Sequence, residues 1–157
     1  HGSRGLGDVY KRQDKIEGYD HDIGKLVLSP TRTYAPVVKE IISKVGVSNI
    51  DGMIHCSGGA QTKVLHFVEN KHIIKDNLFN TPIIFDLIQD ESKTSWKEMY
   101  QVFNMGHRLE IYTDKLSAQK IIDISASFNL EAKIIGRVED SISNKLSISG
   151  DKGNFEY

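Results

Sequence analysis

A histidine, a cysteine, a serine and two glycines follow one another at positions 55–59, inside the stretch IHCSGGAQTK. The imidazole of His55 titrates near neutral pH, so it can carry a proton or orient a bound group. Gly58 and Gly59 allow a phosphate to approach the backbone closely, and free N–H groups leading into a helix favour an anion. The same residues also make an ordinary tight turn. The two glycines match neither the dinucleotide fingerprint nor the Walker A pattern, so the stretch alone leaves both readings open.

Few other residues offer comparable chemistry. Arg32, in SPTR, is a phosphate partner in one reading and a surface or interdomain ion pair in the other. Asn104 either bonds a substrate amide or caps the end of the helix before it. Thr62, His107 and Arg108 are candidate cleft contacts, although for His107 and Arg108 a solvated strand face is the favoured reading. Cys56 reads as a small buried hydrophobe rather than a nucleophile. Trp96 reads as a packing anchor. His55, Cys56, His66 and His72 lack a metal-ligand spacing, so no metal site is expected.

These residues must be held by regular elements. GKLVLS (24–29) reads as a strand that stops at Pro30. Pro36 suits the first turn of a helix whose apolar face is Val37, Val38, Ile41, Ile42 and Val45, with Gly46 as its stop. DGMIHCS and KHIIKD are strand candidates, separated by a short apolar helix through Leu65 and Phe67. Thr81 and Pro82 start a helix with Ile83, Ile84, Leu87 and Ile88 as its buried stripe. Ser95 and Glu98 form a capping box before Met99, Val102 and Phe103. GHRLEIYT alternates as a strand, with Leu109 and Ile111 on one face and Arg108, Glu110 and Tyr112 on the other. Asp114 caps an amphipathic helix to about Phe128. EAKIIGRVE reads as a strand, and KLSIS with NFEY as a hairpin around GDKG. Strands alternating with helices predict an α/β or α+β layered domain over residues 23–157, after a polar linker at 14–22.

The first thirteen residues stand apart. HGSRGLGDVYKRQ shows no period and no initiating methionine, and its end resembles the translation of a transposase end sequence. It is expected to be a non-native or disordered leader, with a further domain missing upstream. The composition of the whole is otherwise ordinary: 157 residues, 39% hydrophobic, 26% charged, net charge -1. That fits one globular domain with a real core. It supplies no electrostatic footprint for nucleic acid or for an anionic membrane. A single cysteine fits a reducing cytoplasm, and no apolar run approaches the roughly 18 residues that a membrane span needs.

Four segments in order carry a resemblance: LSPTRTY (28–34), IHCSGGAQT (54–62), EMYQVFNMG (98–106) and IIGRV (134–138). Together they resemble the C-terminal half of the aminoimidazole ribonucleotide synthase family, the phosphoribosylformylglycinamidine cyclo-ligases. The resemblance runs from about Ile23 to the end of the chain. The family usually has a third glycine where this chain has Ala60, and an acidic-amide pair where it has Lys63 and Val64. Small or apolar residues usually follow FNMG, whereas here His107, Arg108 and Glu110 do. These departures point to a divergent branch.

The resemblance implies a mixed sheet covered by helices and an ATP-dependent ring closure in purine biosynthesis. It implies His55 as a catalytic group, with Gly58, Gly59, Arg32 and Asn104 at the substrate or its phosphate. ATP and Mg2+ would be bound mainly by an N-terminal domain not present in these residues, which would dock on this one. No cofactor is expected on the 157 residues alone, and they are expected to be inactive by themselves. A nucleotide substrate and a homodimer of the full-length enzyme are the implied partners. Another ATP-dependent enzyme of the same superfamily, or a stand-alone binding domain, are the alternatives.

Overall fold

A computed structural model describes residue 15 and residues 22–28 and 33–157. The leader at 1–13, most of the linker and Arg32 lie outside the described residues. Among the described residues, side-chain caps open three of the helices. Asp22 accepts a hydrogen bond from Lys25 N at 2.8 Å and opens helix α1 (Ile23–Val27). Residues 24–27 of the stretch read as a strand are therefore helical. The few apolar residues of the stretch suit either conformation, and the cap decides. Helix α2 (Ala35–Val45) carries Pro36 in its first turn and ends on Gly46, whose φ of 86° only glycine adopts readily.

Strand β1 (Ile50–His55) leads through a glycine turn into a 3-10 helix (Ala60–His66) and then strand β2 (Lys71–Lys75). Helix α3 (Ile83–Ser92) starts at Pro82, but its apolar stripe is only half-buried. Helix α4 (Trp96–Val102) is capped by the Ser95 hydroxyl, which accepts from Glu98 N at 3.3 Å. Strand β3 (Leu109–Thr113) follows. The Asp114 carboxylate then accepts from Leu116 N and Ser117 N, at 2.8 and 3.0 Å, and opens helix α5 (Lys115–Ser127). Strands β4 (Gly136–Asp140), β5 (Lys145–Gly150) and β6 (Gly153–Glu156) complete the chain. The strand expected from Glu131 begins five residues later, because Ile135 O turns aside to accept from both Asp76 N and Asn77 N.

Strands β1 and β3 form an antiparallel ribbon, and β4-β2-β5-β6 form a second, mixed sheet in which only β2 and β5 run parallel. The ribbon is the middle layer. A bulge after Ile50 turns Ile50 and Met53 toward one face. There, with Ile111, they meet Val37, Ile41 and Val45 of α2 and Ile121 and Ile124 of α5. Ile54 and Tyr112 meet the opposite cluster, built on Ile73, Leu146 and Ile148 of the mixed sheet and Met99 and Tyr100 of α4. Each fully buried aliphatic side chain contributes about 1.5–3 kcal/mol through removal from water. The layered α+β architecture with helix-covered strands is thus the one the alternation of elements predicts. Trp96 packs against the larger cluster, with Lys152 Nζ 4.9 Å from its ring centroid.

Candidate functional site

Strand β1 delivers His55 to the top of the ribbon, where its side chain is exposed and its ring lies edge-on to Tyr34 at 6.3 Å. The chain then winds tightly. Ala60 N donates to Ser57 O at 2.8 Å, Gly59 has φ of 80°, and Thr62 donates its hydroxyl to Gly59 O at 2.9 Å. The space beside Gly58 is open to 4 Å. Lys63, one of the departures from the family pattern, folds back over this turn. Its ammonium donates to His55 O at 3.1 Å and to the Ser57 hydroxyl at 2.9 Å. A cation therefore sits over the turn, bonded to the two residues His55 and Ser57 that precede Gly58.

The segment after α4 is bound directly to this turn. Cys56 N donates to Arg108 O at 2.9 Å, and Gln61 Nε2 donates to Asn104 O at 2.8 Å. Asn104 also accepts from Gly106 N through its side-chain oxygen at 2.9 Å, so that oxygen holds the turn. Met105 and Gly106 both have positive φ, at 53° and 95°, and a Cβ on Gly106 would meet the Pro82 ring at 3.0 Å. His107 precedes β3 and is buried, which corrects the solvated strand face expected for it. Its Nε2 accepts from Phe79 N at 3.1 Å, and burial lowers its pKa to about 4, so the ring is neutral at physiological pH. Arg108, also outside the strand, is half-buried.

Beside these two segments lies a cleft of about 550 Å³, lined among others by Tyr34, Phe79, Gly106, Arg108, Glu131 and Lys133. Lys133 donates to Leu78 O at 2.8 Å and sits 4.7 Å from the centre of the Phe79 ring. Two cations, one carboxylate and two aromatic faces suit an anionic ligand with a ring. Of the residues singled out in the sequence, Arg108 lines the cleft, and His55 adjoins it through Tyr34. Thr62, Gly58, Gly59 and Asn104 are not in its wall. Phe79, Lys133 and Glu131 carried no spacing signal. Tyr34 lay within the quoted LSPTRTY segment without being singled out.

Beneath the cleft segments lies a buried polar cluster that alternation concealed. Glu110, which alternation groups with Arg108 and Tyr112, is 6% exposed, because both faces of the ribbon are covered. Its Oε1 accepts from Lys75 Nζ at 2.6 Å and its Oε2 from the Tyr112 hydroxyl at 2.8 Å. Burial first, then the neighbouring Glu110 carboxylate, pushes the Cys56 thiol up to about 12. A thiol so disfavoured as thiolate is a core group. Gly136, the glycine of the IIGRV segment, has a structural cause of its own: any Cβ there would collide with the Ile74 carbonyl of β2.

No protein-family profile matches the chain. Among curated proteins it is 33% identical over 124 residues to the phosphoribosylformylglycinamidine cyclo-ligase of Methanococcus vannielii, which covers 79% of this chain and 35% of that protein. It is 32% identical over 139 residues to the enzyme of that name from Methanocaldococcus jannaschii, covering 88% and 38%. For the one from Syntrophus aciditrophicus the identity is 31% over 139 residues, covering 87% and 39%. The chain thus spans little more than a third of the length of the curated relatives it matches. Over that span, the chain is similar to proteins named phosphoribosylformylglycinamidine cyclo-ligase.

Proposed function

We propose that these residues form the C-terminal half of an ATP-dependent cyclo-ligase that closes the imidazole ring of formylglycinamidine ribonucleotide. The products are aminoimidazole ribonucleotide, ADP and phosphate. The observation that carries this reading is the joining of two family-like segments, 54–62 and 98–106, by the Gln61–Asn104 hydrogen bond, with the Cys56–Arg108 bond just beyond the second. Segments that are far apart in sequence thereby share one rim of the molecule.

ATP with Mg2+, held mainly by an N-terminal domain, supplies the activation of the formyl oxygen. Among the described residues no cluster of three or more His, Cys, Asp and Glu side chains fits a metal ion, so none of them is assigned to Mg2+. This half contributes orientation and charge. His55, exposed at the rim, orients the substrate or moves a proton as the amidine nitrogen attacks the formyl carbon. The Gly58–Gly59 backbone and Lys63 face the phosphate charge at one end, and Arg108 and Lys133 offer cations along the cleft. Arg32 is a further candidate for a phosphate. The N-terminal domain and a second copy of the full-length chain are the proposed partners, the cytoplasm the proposed location, and the 157 residues alone are proposed to be inactive.

The test is to restore the upstream half from the source genome and assay ATP-dependent formation of aminoimidazole ribonucleotide. Activity is expected, with His55→Ala lowering kcat/KM by about a hundredfold while circular dichroism stays native. Full activity in His55→Ala would return the imidazole to a structural role. A folded, intact enzyme that leaves formylglycinamidine ribonucleotide unchanged would overturn the reading.

A further inference from the structure

Lys75, the last residue of β2, is a lysine inside the core, with 2% of its surface exposed. Its ammonium is matched by three oxygens: Gln61 O at 3.0 Å, Gln61 Oε1 at 2.9 Å and Glu110 Oε1 at 2.6 Å. The remaining valences of its partners are also used. Gln61 Nε2 donates to Asn104 O at 2.8 Å, and Glu110 Oε2 accepts from Tyr112 at 2.8 Å. Among the described residues, no other ion pair has both side chains so deeply buried. An arrangement of this kind is poorly explained by stability alone. Taking two charges out of water offsets most of their attraction, and apolar residues of similar volume hold a core as well or better.

Hydrogen bonds give what apolar contacts lack, which is direction. Two of the acceptors are the main-chain carbonyls of Gln61 and Asn104, one in each of the two rim segments. Within those segments the turns at 57–62 and 104–107 contain the positive-φ residues Gly59, Ala60, Met105 and Gly106 and lie outside the β1–β3 ladder, which ends at His55 and Leu109 with the Cys56 N–Arg108 O bond beyond it. Gln61 stands two residues after Gly59, and Asn104 two before Gly106 and four before Arg108.

We infer that Lys75, Gln61 and Glu110 are positioning residues, which fix the Gly58–Gly59 turn and the 104–108 turn relative to each other from below. The inference takes from the proposed reaction only the identity of the site; the geometry it asserts is independent of that reaction. The network touches no substrate and acts through the two backbones it grips.

The test replaces the network by hydrocarbon in the full-length chain, combining Gln61→Leu, Lys75→Met, Glu110→Leu and Tyr112→Phe. Expected is a cooperative melt at or above that of the parent, with amide hydrogen exchange at 57–62 and 104–108 accelerated about tenfold or more. Exchange in β5 and α5 stays unchanged, and kcat/KM falls about tenfold or more. Parental exchange rates in both turns of a folded variant would overturn the inference. If the combined variant does not fold, Glu110→Gln decides. Acceleration confined to the two turns supports positioning, and uniform acceleration across the core overturns it. A parent enzyme without cyclo-ligase activity would refute the proposed reaction and leave the exchange result to decide this inference separately.

Discussion

A histidine whose Nε2 accepts from a backbone amide in a buried site has to stay neutral, and His107 is so placed against Phe79. Burial lowers its pKa to about 4, with Glu110 acting in the opposite direction and Lys75 and Lys133 reinforcing the fall. The unfolded chain takes up this proton near pH 6.5. Between about pH 6.5 and 4 the unfolded state therefore binds more protons than the folded one, and stability falls as the pH drops through that window. The full loss below pH 4 is about 3 kcal/mol. Asp114 and Asp140, both held below the ordinary carboxylate range by hydrogen bonds to the ionised form, lose their contribution at lower pH still. Urea melts at pH 7, 5.5 and 4.5 should show the decline before either aspartate titrates. His107→Gln, which keeps an acceptor for Phe79 N, should flatten it. An equal decline in His107→Gln would remove His107 as the cause.

Strand β4 is held to β2 by a contact that a single methyl group would destroy. A Cβ on Gly136 would strike the Ile74 carbonyl, while β4 beyond it is largely exposed. Gly136→Ala should cost about 3 kcal/mol and lift β4 from the sheet edge. Hydrogen exchange checks this: amides bonded between β4 and β2 should lose protection while those between β2 and β5 keep theirs. Uniform loss across the sheet would mean that β4 is part of the cooperative core instead. The element pattern itself was legible wherever its cause was local. Pro36, Gly46, Ser95 and Asp114 announce helix ends because a cap acts over three or four residues. GKLVLS misled because its apolar residues suit strand and helix alike, and the deciding group, Asp22, lies outside the stretch. The alternation of β3 correctly separated Ile111 from Glu110 and Tyr112. It could not reveal that both faces are covered, since the partner of Glu110 is 35 residues away. The cleft was equally hidden, being assembled from residues as distant as Tyr34 and Lys133. Its neighbour His55 stood out only because several chemical types adjoin it in sequence.

Two apolar clusters meet across a ribbon two strands wide, and whether they melt together decides how the rim is held. Ile41 anchors the cluster under α2 and α5, at 1% exposed, and Leu146 anchors the other, at 0%. Truncating either to alanine should cost about 2–5 kcal/mol, through lost transfer energy and the cavity left behind. No residue belongs to both clusters, so the two costs should add to within about 0.5 kcal/mol in the double variant. The ribbon nevertheless contributes side chains to each: Met53 and Ile111 on one face, Ile54 and Tyr112 on the other. Loss of one cluster strips a face of the ribbon that the other needs, so unfolding should remain a single transition with an unchanged denaturant slope in all three variants. His55 and Arg108 sit at the end of that ribbon, opposite its Ile50–Thr113 end. A single transition would mean that the rim is as stable as the whole molecule. Two transitions, with the one sensitive to Leu146→Ala occurring first, would mean instead that the mixed sheet and the 3-10 helix open while α2 and α5 stay packed. The Gly58–Gly59 turn would then belong to a separately folding unit.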